Sequence, residues 1–226
     1  MLAILNQIII YLIPSLSVSN NLTTALALGI PSITLLIAMS ILNVILIWLM
    51  YIAIIKIVTY KRANQEVSVG KIIEDAKTYL GSYSGLSMLM GLALFGLFIL
   101  LIIPGVIFAV FWTFAPYILI LENKGISESM SESKKLVTGR WWKVFGYNFL
   151  FFLIMFGIGI GMGLVLSIPS LILKLVPVVG PVLTQILSDS ITMFTLPLGI
   201  IFYELFYQKL KATAVTSANL KETPKA

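Results

Sequence analysis

Residues 78–121 read TYLGSYSGLSMLMGLALFGLFILLIIPGVIFAVFWTFAPYILIL and contain no Asp, Glu, Lys or Arg. A membrane-spanning helix needs about 20 mostly apolar residues, so this stretch is long enough for two crossings and too long for one. Two further stretches lack charge, namely the residues before Lys56 and residues 144–173. The whole chain of 226 residues is 59% hydrophobic and 11% charged, whereas soluble domains contain roughly 25% charged residues. Water does not solvate so much apolar surface, so the sequence predicts an all-α integral membrane protein.

The apolar stretches predict a bundle of about six transmembrane helices in a single domain over residues 1–210, followed by a polar cytoplasmic tail over 211–226. The expected spans are about 1–13, 31–58, 85–103, 105–122, 144–168 and 182–207. The first differs from the others because Pro14 ends it after roughly 20 Å of helix, which is short for a bilayer. Residues 1–13 are therefore expected to make a short span, to re-enter the membrane, or to lie at its interface.

The distribution of basic residues predicts the orientation of the chain. If the spans alternate, fourteen of the 15 lysines and arginines lie on one side of the membrane and only Lys174 lies on the other. Basic loops stay in the cytoplasm and are attracted by anionic lipid headgroups. We therefore expect a multi-pass protein of the cell (plasma) membrane with a cytoplasmic C-terminus. The net charge of +6 comes with no nucleic-acid-binding motif, so the expected partner is the anionic inner face of the bilayer.

Two loops on the basic side predict cytoplasmic amphipathic helices at the membrane interface, over 68–80 and 127–138. Ser68 is the expected N-cap of the first helix. In the second, Ser129 and Glu132 are spaced as a capping box, and Gly139 is the expected stop. These helices are expected either to sense lipids or partners, or simply to connect spans. Next to the second helix, interfacial anchors are expected at Arg140, Trp141 and Trp142.

Two small-residue patterns predict how the spans pack. Pro104 and Gly105 interrupt the uncharged stretch and predict a tight outer hairpin, in which Pro stops the first helix and Gly permits the reversal. Further along, four glycines at alternate positions allow close helix approach, either within the bundle or between two copies in a homodimer. They are Gly157, Gly159, Gly161 and Gly163.

Polar side chains inside the spans are candidates for function, because charges at membrane depth are costly. Asp189 is the first candidate, with Thr192 and Thr195 on the following turns. It is expected either to bind a proton or cation in a transporter or to reach the outer interface. Asn43 and Asn148 are expected to form interhelical hydrogen bonds.

The residue types argue against an enzyme. The chain has no His and no Cys, so it lacks the usual ligands of zinc and haem and the usual nucleophile–base pairs. Asp189 and Glu204 are about 22 Å apart along one helix, and Glu204 is expected to form a salt-bridged face with Lys209 and Lys211. No catalytic, cofactor-binding or metal-binding site is predicted. The sequence favours a non-enzymatic scaffold, anchor or envelope-maintenance protein, and the alternative is a small permease that uses Asp189.

Several motifs occur in a recognisable order. They are IPGV at 103–106, FAPY at 114–117, LENKG at 121–125, TGRWWKVFG at 138–146 and IFYELFY at 201–207. This order resembles the prokaryotic six-helix membrane domain that is found attached to glycerophosphodiester phosphodiesterases and also as stand-alone proteins of unassigned function. The resemblance implies a helical membrane fold. It implies no reaction, because the phosphodiesterase chemistry needs His and clustered carboxylates that these residues lack.

Overall fold

The computed structural model describes residues 22–173 and 179–222, with side chains over most of 34–165 and 195–214. In these ranges the chain forms α-helices and no β-strand, which confirms the predicted all-α class. The helices are α1 (Leu22–Arg62), α2 (Val69–Leu100), α3 (Ile102–Phe111), α4 (Ala115–Glu122), α5 (Ile126–Val137), α6 (Trp141–Leu173) and α7 (Val179–Glu222). The predicted span over 1–13 and the lone outer cation Lys174 lie outside the described residues.

The chain divides into two compact units. The first comprises Met1–Ile47 and Ile154–Leu196, and the second comprises Trp48–Leu153 and Pro197–Ala226. Helices α2 to α5 belong to the second unit alone. Every described side chain that is buried also belongs to the second unit, which therefore contains the described part of the core. The single domain expected over 1–210 stays a prediction.

Four helical segments of the described residues are long and apolar enough to cross a membrane. They are Ile37–Arg62, Val69–Leu100, Ile102–Glu122 and Trp141–Val165. Their large apolar side chains point outward; Leu92, Phe95 and Ile99 are each more than 60% exposed. A soluble protein rarely shows contiguous apolar surface on this scale. These four segments overlap the predicted spans 31–58, 85–103, 105–122 and 144–168, and the predicted span 182–207 falls within α7.

Helix α2 is longer than the sequence predicts, because the expected interfacial helix over 68–80 is its first part and not a separate element. No proline interrupts residues 80–85, and Ser84 bonds back to the carbonyl of Gly81 within the helix (2.8 Å). The start agrees with the prediction, since Ser68 is the N-cap and its hydroxyl accepts a hydrogen bond from the Lys71 amide. The prediction of a separate helix was wrong because nothing in the local sequence ends the helix.

The break between α2 and α3 lies at Leu101, whose backbone is extended (φ −157°, ψ 122°). The predicted turn at Pro104 and Gly105 was therefore placed three residues too late. Both residues lie in the first turns of α3, where the amide that proline lacks would have no helical partner. Gly105 is needed for close packing, because a Cβ built there would lie 2.7 Å from a ring carbon of Phe98.

The predicted span 105–122 consists of two helices, because residues 112–114 form a turn between α3 and α4. Ser133 of α5 forms hydrogen bonds with two backbone groups at this turn. Its hydroxyl accepts from the Phe114 amide (3.1 Å) and donates to the Phe111 carbonyl (2.7 Å). Helix α5 packs on α3 and α4 through Ser129, Ser133 and Val137, which share one face and are fully buried.

The ends of α5 test the predicted caps. Gly125, not Ser129, is the N-cap, so the predicted capping box of Ser129 and Glu132 was wrong. Ser129 lies one turn into the helix, where it contributes to packing. Gly139 follows the C-cap with φ +79°, which confirms it as the helix stop.

Candidate functional site

The carboxyl end of α4 lies in a polar cluster. The Oε1 atom of Glu122 accepts hydrogen bonds from the Lys211 ammonium (2.7 Å) and from the Tyr207 hydroxyl. Its Oε2 atom lies 3.4 Å from Nζ of Lys124. We call these four residues the Glu122 cluster. Tyr207 and Lys211 are one turn apart on α7 and share a face, and the left-handed Asn123 (φ 53°) turns the chain so that Lys124 points back to Glu122.

The charges at this helix end are compensated. Lys56 of α1 donates to the Ile120 carbonyl (3.4 Å), and its Nζ lies 4.2 Å from the ring centroid of Tyr79. Cations near a helix carboxyl end are stabilised by the helix dipole. Partial desolvation lowers the pKa of Lys124, but the nearby carboxylates, including Glu122 and Glu128, outweigh it, so this pKa lies above its ordinary value. The end of α4 is therefore bonded to α1, α5 and α7.

The predicted interfacial anchors divide into two roles. Arg140 donates to the Leu210 carbonyl on α7 (3.0 Å), and the Trp141 indole donates to the Ile107 carbonyl on α3 (3.3 Å). Both side chains therefore connect helices of the second unit. Trp142 is 78% exposed, so it is the one of the three that is available to an interface.

Tyrosines fill the interior of the second unit. The Tyr51 ring lies 5.3 Å from that of Tyr83 and 6.2 Å from that of Tyr117. The Tyr117 hydroxyl donates to the Ile200 carbonyl of α7 (3.3 Å). These contacts join α1, α2, α4 and α7, and the hydroxyls supply the partners that buried aromatic polar groups need.

Glu204 is fully buried in this interior, and neither carboxylate oxygen has a hydrogen-bond partner among the described residues. Arg62, at the end of α1, interacts with it electrostatically. The prediction that Glu204 shares a salt-bridged face with Lys209 and Lys211 was wrong. The ammonium of Lys211 reaches Glu122 instead, because α4 ends beside that turn of α7.

The predicted interhelical role of Asn148 is confirmed. Its Nδ2 atom donates to the Thr113 hydroxyl (3.1 Å), in the turn between α3 and α4. Its Oδ1 atom is buried and has no partner among the described residues. A polar pair at this position stabilises the packing of α6 on the turn.

The predicted intramembrane site lies in the first unit. Asp189 and Thr192 belong to α7, but their side chains lie outside the described residues. Thr195 and Asn43 are both half-buried. The convergence of these four residues stays a prediction.

The glycine stripe of α6 faces open space in the part of the chain that is described. A Cβ built on Gly157, Gly159, Gly161 or Gly163 meets no described atom within 4 Å. Apolar neighbours such as Leu164 are also exposed. Packing on this stripe, within the bundle or between copies, stays a prediction.

Catalytic or metal chemistry has no evident centre among the described residues, where no three acidic side chains come close enough to hold a metal ion. The polar groups of the Glu122 cluster are bonded to one another. Their arrangement can fix the positions of α4, α5 and α7 relative to one another.

A family model, Domain of unknown function (DUF7847), matches residues 22–210. The chain belongs to the DUF7847 family. The match extends from the start of α1 into α7, so the Glu122 cluster up to Tyr207, and Glu204, lie in the DUF7847 region, whereas Lys211 lies just beyond it. No curated protein and no solved structure matches the chain. The resemblance to the domain attached to glycerophosphodiester phosphodiesterases stays a prediction.

Sequence reasoning missed the Glu122 cluster. Glu122 is the first acidic residue after the uncharged stretch 78–121, which marks a helix end but not its partners. Tyr207 and Lys211 lie 85 and 89 residues away in the chain. Their spacing of four residues on one helix was the available signal that they act together.

Proposed function

We propose that this protein is a non-enzymatic, multi-pass scaffold or anchor in the cell membrane that helps to maintain the cell envelope. The observation that carries the proposal is the Glu122 cluster. Its charged groups are bonded to one another and connect α4 to α5 and α7. Groups used in this way stabilise a helical framework and are not available as an acid–base pair.

The four membrane-length helices support a position in the bilayer. With the predicted spans 182–207 and 1–13 they would make the six-span bundle. In this arrangement the Glu122 cluster, Arg140 and the C-terminus lie on the cytoplasmic side, where the basic residues favour anionic headgroups. The exposed glycine stripe of α6 is the proposed contact for a membrane-protein partner or a second copy.

Topology is tested by cysteine labelling, because the chain contains no native Cys. An impermeant thiol reagent should label Lys174→Cys in intact cells and Lys135→Cys only after the cells are permeabilised. Lys135 is a suitable probe because its side chain is 69% exposed. Labelling of both positions from the same side would refute the six-span arrangement.

The scaffold role is tested by deleting the gene and measuring survival after osmotic shock and detergent challenge. Wild-type protein should restore survival, and so should Asp189→Asn, since the scaffold needs no ion-binding carboxylate. Normal survival of the deletion strain under both challenges would overturn the role in envelope maintenance.

A small permease is the second candidate, and the buried carboxyl of Glu204 favours it. Ionisable groups inside membrane proteins are rare and commonly belong to proton or ion pathways. In this function Glu204 would bind the transported proton or cation, and Asp189 would bind it separately at its own position. Liposomes that contain the purified protein would then show an ion flux that Glu204→Gln or Asp189→Asn abolishes. That result would overturn the scaffold proposal.

A further inference from the structure

The second unit contains a groove that the scaffold role does not use. It lies between the first turns of α6 and the later part of α7 and has a volume of about 210 Å³. Lys143 and Lys209 line it together with three aromatic side chains that we call its floor, namely Tyr147, Phe202 and Phe206. Two of these rings are in contact, since the Tyr147 ring lies 4.8 Å from that of Phe206.

The groove changes from apolar to basic along α7. Phe202, Leu205 and Phe206 come first, and Lys209 follows one turn after Leu205. On α6, Lys143 and Tyr147 are also one turn apart and share a face. Lys143 directly precedes the uncharged residues 144–173, so both ammonium groups lie where an apolar helix meets its polar end.

The charges of the groove are uncompensated. Neither Lys143 nor Lys209 is ion-paired within the described part of the chain, and no acidic residue lines the groove. Both lysines are exposed. Two cations that line the same groove as aromatic side chains complement an anion that carries a hydrocarbon chain.

We propose that this groove binds one anionic phospholipid, with the phosphate between Lys143 and Lys209 and an acyl chain over Tyr147, Phe202 and Phe206. The Tyr147 hydroxyl can donate to a phosphate or ester oxygen. A free phosphate would leave the aromatic floor uncovered. The proposal rests on the membrane position proposed above, and it adds a specific lipid site to the general attraction of basic loops.

The test uses the full-length protein in detergent. Native mass spectrometry measures the binding of phosphatidylglycerol and of phosphatidylcholine with the same acyl chains. Wild type should prefer phosphatidylglycerol. A lysine at an anionic headgroup contributes about fivefold in affinity, so Lys143→Gln with Lys209→Gln should weaken phosphatidylglycerol binding roughly 30-fold.

The matched control is Lys71→Gln with Lys77→Gln, which removes the same charge from exposed positions on α2 that do not line the groove. This variant should keep the wild-type preference. Leu205→Asn, at a 46% exposed position of the groove wall, should weaken binding of long-chain but not of short-chain phosphatidylglycerol. Each variant must match wild type in helical content and elution volume before its binding is interpreted.

Three outcomes would overturn the lipid site. The first is equal loss of binding in both lysine pairs, which indicates general charge attraction. The second is displacement of the lipid by millimolar inorganic phosphate, which indicates a phosphate site. The third is a smaller oligomer for Lys143→Gln with Lys209→Gln than for wild type, with lipid binding intact, which indicates a protein interface. If the scaffold role or the six-span topology is wrong, the survival and cysteine-labelling experiments will show it instead.

Discussion

Ser133→Ala should destabilise the protein more than any other serine substitution in α5. The Ser133 hydroxyl is fully buried and makes two hydrogen bonds to the turn between α3 and α4. Its removal leaves the Phe114 amide and the Phe111 carbonyl without these bonds. Each such loss costs about 1–3 kcal/mol when the group stays buried, and the better helix propensity of Ala returns about 0.5 kcal/mol. For the two groups together we expect a net loss of about 2–5 kcal/mol.

The assay is reversible unfolding of the full-length protein in mixed micelles, followed by helical content as the fraction of denaturing detergent rises. Ser131→Ala is the matched control, because Ser131 is exposed on the same helix and should be neutral or slightly stabilising. Ser129→Ala should fall between them, since the Ser129 hydroxyl has one longer bond to the Lys124 carbonyl (3.5 Å). Equal stability of the Ser133 and Ser131 variants would refute the bridging role.

Three further predictions concern packing and charge in the second unit. Gly105→Ala should lower the thermal midpoint, because the new Cβ would meet the Phe98 ring at 2.7 Å and overpacking costs typically 1–3 kcal/mol; a midpoint at or above wild type would contradict this. Glu122→Gln should cost about 1 kcal/mol, less at high salt, and should be non-additive with Lys211→Met in a double-mutant cycle; strict additivity would mean that the pair does not interact. Glu204→Leu should leave the thermal midpoint unchanged or raised, because it removes a buried carboxyl that has no hydrogen-bond partner among the described residues; a fall of several degrees would show that the carboxyl is bonded in the folded protein.

The fold class could be predicted because membrane-length apolar stretches are a property of the local sequence. The helix break at Leu101 could not, since leucine carries no breaking signal and the proline lies three residues later. The capping-box prediction at Ser129 failed for a related reason. A serine followed three residues later by a glutamate fits an N-cap. The helix begins earlier, however, directly after Gly125, so Ser129 lies within it and packs against α4.

The candidate site was less predictable than the fold, because its contacts join distant parts of the chain. Asn148 was correctly expected to bond between helices, since a lone amide in an apolar helix has few other uses. Glu204 was expected near the lysines that follow it in sequence, but it is buried, and the charge that acts on it is Arg62 of α1. The charge pattern of α7 alone does not predict that Lys211 bonds to Glu122 on α4.

The two adjacent residues Leu210 and Lys211 bond to different parts of the second unit, one to Arg140 and the other to Glu122. Consecutive positions on an α-helix are about 100° apart around its axis. Together these bonds define the rotational setting of α7, since a twist of the helix would lengthen both at once. Inserting one residue after Tyr207 would turn the following segment by that same angle and separate both pairs, although every side chain involved would still be present.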